Sequence, residues 1–295
     1  MKLALGPLLY LWKRAEIGEF YRQIASTPVD IVYLGETVCA KRRPLSGADW
    51  AGIADLLAAA GKQVVLSTLA LVEAKSDLAA IRRITRNNRY PVEANDMAAV
   101  QMRLESTPFV AGPHLNIYNC RALGVIRRAG AMRWVAPIEL TAGALDGILE
   151  SRPEGLEVEV FAYGRMPLAF SARCFTARAH HHPKDHCETV CDQYADGLLI
   201  SAQDGAPFLV LNGVQVQSAR ICSLLLDLDT LRDLSVDVLR LSPQARHMPE
   251  IIRIFRDAID GVITGDAAHK TLLRYAPADL CNGYFRGSAG MEQCV

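Results

Sequence analysis

The chain has 295 residues, and its 32 Lys and Arg balance its 32 Asp and Glu, so the formal net charge at pH 7 is zero. This length suits one large α/β barrel or two modest domains, and we expect one barrel. The neutral balance excludes a bulk electrostatic attraction to nucleic acid or an anionic membrane and leaves only local basic patches open.

The chain begins MKLALGPLLYLW, which is a charged start followed by a short apolar run. The run contains Gly6 and Pro7 and lacks a small-residue cleavage site, so we interpret it as a first strand and its loop, not a signal peptide. No uncharged apolar window reaches the length of a membrane span. We therefore expect a cytoplasmic protein without a transmembrane segment.

Short apolar, β-branched runs alternate with amphipathic segments, which is the pattern of a parallel sheet covered by helices. The predicted strands are Lys2–Leu5, Asp30–Leu34, Gln63–Ser67, Tyr90–Glu93, Phe109–Pro113, Met132–Val135, Glu157–Phe161 and Val236–Leu241. The predicted helices are Glu16–Ser26, Ala48–Ala60, Lys75–Arg86, Met97–Leu104, Ala142–Glu150 and Pro249–Val262. This order predicts an α/β fold, a TIM-like (β/α)8 barrel. An open doubly wound sheet is the alternative, but no Gly-rich turn follows the first strand to bind a dinucleotide.

The interval between the seventh and eighth predicted strands is much longer than the others. We therefore predict a single barrel domain over residues 1–295 with an insertion at about 165–235. Alternating apolar residues around Asp204-Gly205 and Asn212-Gly213 predict β-hairpins within it. Loops at the carboxyl ends of barrel strands build active sites, so this insertion is the expected place for one.

The cysteines of the insertion have a spacing that suggests ligation. Cys174, Cys187 and Cys191 follow the pattern C-x12-C-x3-C. Because a long chain without a signal peptide is expected to keep its thiols reduced, metal ligation competes with plain burial. Three thiolates need a fourth ligand to complete a tetrahedral zinc or a cubane iron–sulfur cluster. Cys39 is the best candidate, because it follows the second strand and so lies at the carboxyl end of the barrel.

Histidines leave the identity of the metal open. His180, His181, His182 and His186 could replace one cysteine in a Cys3His zinc site. The C-x2-C pair common in structural zinc sites is absent, and HHHPKDH is also typical of a solvated loop. The residues alone therefore leave iron–sulfur, zinc and unrelated thiols as alternatives. Lys41, Arg42 and Arg43 directly after Cys39 could compensate a negative cluster or form a solvated basic loop.

Three segments carry a resemblance to a known family: EVEVFAYGRMPLAFSARCFTAR, HCETVCDQY and ETVCAKRR. Together they resemble the collagenase-like peptidase family, in the branch that functions in oxygen-independent ubiquinone biosynthesis. The element E-x-F-x-x-G at Glu159, Phe161 and Gly164, which leads into Arg173-Cys174, is the family's signature region. The resemblance covers essentially the whole chain. It implies that a 4Fe-4S cluster is bound by Cys39, Cys174, Cys187 and Cys191.

The resemblance also implies a function. The chain would be the iron–sulfur subunit of an oxygen-independent hydroxylase that acts on prenylated phenol precursors. It would form a heterodimer with a UbiU-type paralogue, work with a lipid-binding accessory protein and use prephenate as the oxygen donor. The alternatives are a non-catalytic scaffold subunit with a structural cluster and a factor of the same family that hydroxylates an RNA base. Neutral charge argues against the RNA alternative.

Proteolysis is not expected, despite the name of the family. A hydrolase needs a nucleophile beside a base, and neither G-x-S-x-G nor H-E-x-x-H occurs in the sequence. No catalytic residue is assigned. For a small ligand, polar residues at strand ends are candidates, and most are expected to be helix caps or loop contacts. Among these we expect Arg165 to bind a carboxylate of the donor, because a guanidinium can grip that group bidentately.

Overall fold

The structure is a computed structural model, and it describes residues 1–103 and 107–294. Strands β1 to β12 cover, in chain order, Lys2–Leu5, Ile31–Leu34, Gln63–Ser67, Val92–Ala94, Phe109–Ala111, Ala131–Val135, Glu157–Phe170, Leu198–Ser201, Pro207–Asn212, Gln215–Ser223, Val238–Leu241 and Leu280–Cys281. Helices α1 to α11 cover Arg14–Ala25, Gly47–Ala59, Lys75–Thr85, Met97–Met102, Cys120–Arg128, Ala142–Leu149, Phe175–Ala179, Leu228–Asp233, Met248–Ile259, Gly265–Leu272 and Gly283–Arg286.

The first seven strands pair in parallel with their neighbours, and β11 closes the sheet by pairing in parallel with both β7 and β1. The result is a closed barrel of eight parallel strands surrounded by helices, so the predicted (β/α)8 barrel is confirmed. Closure places every strand-to-helix loop at the carboxyl end of the barrel.

Alternation along the strands separates two apolar cores. Leu3 and Leu5 of β1 pack in the large core beneath the helices, whereas Ala4 packs with Tyr33 and Val238 inside the barrel. This alternation follows from the two-residue period of a strand, which sends successive side chains to opposite faces. The interior positions are otherwise filled by small or β-branched residues, which leaves room for charged side chains.

A buried ion cluster occupies the barrel interior. Glu159 accepts hydrogen bonds from Arg240 Nε at 2.5 Å and from the Tyr33 hydroxyl at 2.5 Å, and its Oε2 lies 3.6 Å from Arg133 Nη1. Arg240 also pairs with Glu93, with 2.7 Å between Nη1 and Oε1. Burial alone would lower the pKa of Arg240, but Glu159 and Glu93 raise it well above its ordinary value. Two buried cations thus balance two buried anions.

The segment between β7 and β11 forms an antiparallel extension on the barrel. The second half of β7 leaves the barrel and pairs with β10, β10 pairs with β9, and β9 pairs with β8. Both predicted hairpins are present, and their turns have the left-handed backbone of Gly205 (φ 84°) and Gly213 (φ 66°). Strand β7 therefore runs to Phe170, beyond the predicted end at Phe161.

Sequence and structure differ mainly at element ends and at short helices. The fifth strand ends at Ala111, because Pro113 begins a 3₁₀ turn. Helix α5 was not predicted from its sequence CRALGVIRR, in which Gly124 lowers the helix propensity. The predicted end of the fourth helix, Leu104, lies outside the described residues. Within the described ranges, every helix is too short or too polar to cross a membrane.

We predict that Glu159→Ala lowers the free energy of unfolding by about 3–5 kcal/mol, because it leaves Arg240 and Arg133 buried without their shared carboxylate. Urea denaturation followed by far-UV circular dichroism measures this change. The control Glu19→Ala removes a half-exposed carboxylate from its pair with Arg22 and should cost less than about 1 kcal/mol. Equal losses in the two variants would contradict a structural role for the cluster.

Candidate functional site

Cys39 lies in a sharply folded loop directly after β2. Gly35 begins this loop with φ 130°, and a Cβ there would come within 2.7 Å of the Ser67 carbonyl oxygen. Glu36 then shapes the loop, because its Oε1 accepts the backbone N–H groups of Val38 at 2.8 Å and of Cys39 at 3.0 Å. The half-buried Cys39 is thereby held at the carboxyl end of the barrel.

The other three predicted ligands follow the extended β7. Cys174 precedes α7, and its Sγ accepts the backbone N–H of Ala177 at 3.4 Å. Cys187 ends a 3₁₀ turn, and Cys191 lies in the next one. The chain reverses between them through Glu188 (φ 49°) and Thr189 (φ 53°), which adopt the left-handed region. All three cysteines are half-buried.

The four thiols are close enough to influence one another electrostatically. Burial raises the pKa of Cys39, and Glu36 and Cys174 raise it further. Burial also raises the pKa of Cys191, where Cys174 and Cys187 add to the rise and Arg42 opposes it. The structure therefore brings the residues of the predicted tetrad, which are far apart in sequence, to one cysteine cluster at one end of the barrel.

The histidines near the cysteine cluster either contact other residues or lie exposed. In residues 1–103 and 107–294, no three His, Cys, Asp or Glu side chains converge closely enough to hold a metal ion. The histidines lie apart: His180 shares a 2.7 Å hydrogen bond with the Tyr194 hydroxyl, and His181 and His186 are exposed. This arrangement gives no support to a Cys3His zinc site.

Arg42 supplies a buried positive charge beside the cysteine cluster. Its Nη1 donates to the Leu9 carbonyl oxygen at 2.6 Å, and its Nη2 donates to Asn212 Oδ1 at 2.7 Å. Burial alone would lower its pKa, but Glu36, Cys191 and Cys39 raise it. Gly213 makes room for this guanidinium, since a Cβ there would lie 2.7 Å from Nη2. Of the basic residues after Cys39, Arg42 is the one held among the thiols.

Lysine contacts fasten the cysteine loop to the barrel. Lys41 Nζ donates to the Lys184 carbonyl oxygen at 2.8 Å and to Asp185 at 3.1 Å. Lys184 in turn donates to Glu73 at 2.6 Å and to the Ala172 carbonyl oxygen at 2.7 Å. The loops after β2 and β3 thus hold the insertion that carries Cys187 and Cys191.

A separate cavity of about 280 Å³ opens at the mouth of the barrel. Its polar lining comes from the carboxyl ends of several strands and includes Thr37, Glu93, Asn95, His114 and Arg240. Its walls are largely apolar and are formed by Pro7, Ile138, Phe161, Leu168 and Phe170, among other residues. We call this space the mouth cavity.

Arg165 faces a different space. Its Nη1 donates to the carbonyl oxygens of Ser218, at 3.2 Å, and of Ala219. It lines a cavity of about 10 Å³ beside Tyr10 and Asp196, outside the mouth cavity. The proposed role of Arg165 in binding a carboxylate stays a prediction, and the arginine that lines the mouth cavity is Arg240.

The family model of peptidase family U32 matches residues 19–294. The chain belongs to peptidase family U32. This membership confirms the resemblance at the level of the family, which is the collagenase-like one.

Two solved structures are also similar. The U32 peptidase Mk0906 is 12% identical with a TM-score of 0.46, and the match covers 83% of this chain and 93% of that one. The spore cortex-lytic enzyme SleL of Bacillus megaterium is 12% identical with a TM-score of 0.41, covering 87% of this chain and 73% of that one.

In this U32 protein, His114 should make stability depend on pH. Burial, with a smaller contribution from Arg240, lowers its pKa to about 4, although Glu93 opposes the shift. The unfolded chain, with a pKa near 6.5, therefore binds more protons between these values, and the native state loses stability as pH falls from about 6.5 to about 4.

We predict that the wild type loses about 1–2 kcal/mol more than His114→Gln when the pH is lowered from 7 to 5. Urea unfolding at both pH values measures the difference. Parallel losses in the wild type and the variant would show that His114 is free to protonate in the native state.

Proposed function

We propose that this U32 protein is an iron–sulfur subunit of the UbiV type in an oxygen-independent hydroxylase that acts on prenylated phenol precursors of ubiquinone. The observation that carries the proposal is the cysteine cluster, in which four half-buried thiols from distant segments come together and Cys39 and Cys191 lie near the buried Arg42. The resemblance of the surrounding segments supplies the hydroxylase and its substrate.

The donor set fits a 4Fe-4S cluster, which is commonly held by four cysteine thiolates. A cubane carries its four thiolates on four different irons, so its ligands stand further apart than ligands on a single ion. The set of four cysteines and the resemblance of the segments around it together support that cofactor. When bound, the cluster would supply one-electron transfer at a potential that its surroundings set.

The chain's own residues would then tune and protect the site. Arg42 holds a fixed positive charge among the thiols and interacts directly with Cys191. The backbone N–H of Ala177 donates to Cys174 Sγ, and hydrogen bonds to ligand sulfur together with nearby charge adjust a cluster's potential. The lysine contacts hold the insertion over the site.

An apolar cleft beside the cysteine cluster supports a lipophilic substrate. It has a volume of about 670 Å³, lies against α2 and α3, and reaches the loop of Glu36, Ala40 and Arg42. Its walls include Leu45, Trp50, Leu66, Ile81 and Ile84. Sites of this size and lining bind drug-sized apolar molecules, so we assign the prenylated phenol to this cleft.

The remaining parts of the proposal rest on the resemblance. A UbiU-type paralogue would complete the heterodimer, a lipid-binding accessory protein would present the substrate, and prephenate would donate the oxygen. Catalytic residues stay unassigned on this chain. With all four cysteines on the cluster, this subunit would deliver electrons and leave oxygen transfer to the complex as a whole.

We predict that protein purified without air contains about four irons and four sulfides per chain, and that Cys39→Ser loses most of both. Iron and sulfide analysis, with the visible absorption of the cluster, measures the loss. The matched control is Cys120→Ser, which removes a half-buried thiol on α5 outside the cluster and should keep the full content. Zinc without sulfide in the wild type would overturn the assignment of the cofactor.

A redox titration separates an electron-delivering subunit from a non-catalytic scaffold. If the cluster delivers electrons, its oxidation state changes during turnover with the UbiU-type partner, the prenylated phenol and prephenate. A cluster that keeps one oxidation state throughout turnover would instead have a structural role, because metal binding can contribute directly to folding.

The cleft can be tested by filling it. We predict that Ala80→Trp, which introduces a large side chain into the lining, lowers the hydroxylation rate of the assembled complex roughly tenfold or more while the iron content stays at the wild-type value. Ala79→Trp is the matched control, because Ala79 is exposed on the same helix and does not line the cleft. Equal activity of the two variants would remove the cleft from the proposal.

A further inference from the structure

The mouth cavity contains buried polar atoms that the protein leaves without partners. Arg240 is 5% exposed, and although its Nε and Nη1 pair with Glu159 and Glu93, its Nη2 has no hydrogen-bond partner among the described residues. Thr37 is 1% exposed, and its Oγ1 also lacks a partner in this part of the chain. Both residues line the same cavity.

Unpaired buried donors are costly, so a site that keeps them has a physical reason for doing so. A guanidinium N–H is a charged donor and forms its strongest hydrogen bonds with carboxylate oxygens. The Thr37 hydroxyl can donate to a second oxygen. These donors call for acceptor oxygens on the ligand, whereas Asn95 Oδ1, a buried acceptor in the same lining that also lacks a hydrogen-bond partner among the described residues, calls for a donor such as a hydroxyl.

The remaining lining sets the size and shape of that ligand. The cavity of about 280 Å³ is at the lower end of small-molecule sites, which excludes a prenyl chain and suits a small metabolite. Phe161, Phe170, Ile138 and Leu168 give it apolar walls that favour a compact ring or short chain. His114 packs edge-on against Phe170, with 4.7 Å between the ring centroids, and its lowered pKa keeps it uncharged near neutral pH.

Carboxylates of the protein do not fill the role of the ligand. Glu93 Oε2 already accepts from Ser67 at 2.7 Å and from Asn95 Nδ2 at 3.2 Å, and Glu93 Oε1 pairs with Arg240. Glu159 already accepts from Arg240 on one oxygen and from Tyr33 on the other. Two carboxylates thus hold the guanidinium of this lining residue in place while its Nη2 stays without a hydrogen-bond partner among the described residues, which is a preorganised arrangement.

We propose that the mouth cavity is a binding site for a small organic acid with a compact apolar body, whose carboxylate accepts a hydrogen bond from Arg240 Nη2 and whose oxygens also reach Thr37. This site adjoins the cysteine cluster, since Leu9 and Phe170 of its lining pack in one group with Cys39 and Cys174, and it is separate from the cleft at α2 and α3. Naming prephenate as the acid to test rests on the proposed function, whereas the site itself rests on the cavity.

Isothermal titration of anaerobically purified protein with prephenate tests the site, and benzoate serves as a simpler acid with a compact ring. We expect measurable binding of prephenate to the wild type. Thr37→Val keeps the shape of the side chain and breaks no hydrogen bond made by its hydroxyl within the protein, so it should fold normally and weaken binding about tenfold. Arg240→Lys keeps the charge but shortens its reach and should weaken binding by at least about tenfold.

Two further arginine variants make the result specific. Arg133→Lys is the matched control, because Arg133 is equally buried and contacts Glu159 but does not line the mouth cavity, so binding should stay at the wild-type value. Arg165→Lys compares the two arginine assignments and should also leave binding unchanged. Loss of binding in Arg165→Lys with full binding in Arg240→Lys would overturn the proposal.

Iron and sulfide are measured on the same samples. The experiment then distinguishes failure of the mouth-cavity proposal from failure of the cofactor proposal. Absence of binding by both acids, with a full cluster present, would overturn the mouth-cavity site and leave the cofactor assignment standing. Binding that is weakened by Thr37→Val, in protein that holds no cluster, would support the site and overturn the cofactor assignment instead.

Discussion

The parallel pairing of β11 with both β1 and β7 is the constraint on which the rest of the molecule depends. It converts a sheet into a barrel, and a closed barrel has one carboxyl end at which all of its strand-to-helix loops gather. This closure brings Cys39, which follows the second strand, near the cysteines that follow the seventh. The same closure aligns Thr37, His114 and Arg240 around the mouth cavity.

The signature region of the family has a structural explanation in this chain. Glu159 is the centre of the buried ion cluster, and Phe161 forms part of the wall of the mouth cavity. Gly164 has φ 126°, and a Cβ at this position would come within 2.5 Å of the Ser242 side chain. The glycine therefore permits β7 to bend out of the barrel toward β10 and to carry the chain to Cys174.

Much of the barrel was predictable, because buried parallel strands have a strong local pattern. Runs such as DIVYLG and QVVLS are short, apolar and bounded by polar residues, and their strand bounds were right to within one residue. The extension of β7 was not, since Gly164 and Pro167 ordinarily end a strand and the pairing with β10 that stabilises it is non-local. The proximity of Cys39 to Cys174 was predictable once a parallel barrel with right-handed crossovers was assumed, because both residues then follow the carboxyl ends of barrel strands.

The buried charges were missed, although the sequence carried a signal for them. Arg133 in AMRWV, Arg240 in VLRL and Glu159 in EVEVF are charged residues within largely apolar strands, each at a position that faces the barrel interior. Opposite charges at interior positions of neighbouring strands predict an ion cluster. The burial of Arg42 had no such signal, because it depends on Leu9 and Asn212, which contact it from distant parts of the chain.

The lysine contacts of the insertion affect the order of assembly. Cys39 and Cys174 are separated by 135 positions, and the loops that hold Cys187 and Cys191 in place, at Lys41 and Glu73, belong to the first quarter of the chain. An unfolded chain pays a large loop-closure entropy to bring such distant residues together. A closed barrel already brings these residues together, so a group that engages all four thiols meets less of this entropy cost there than in the unfolded chain.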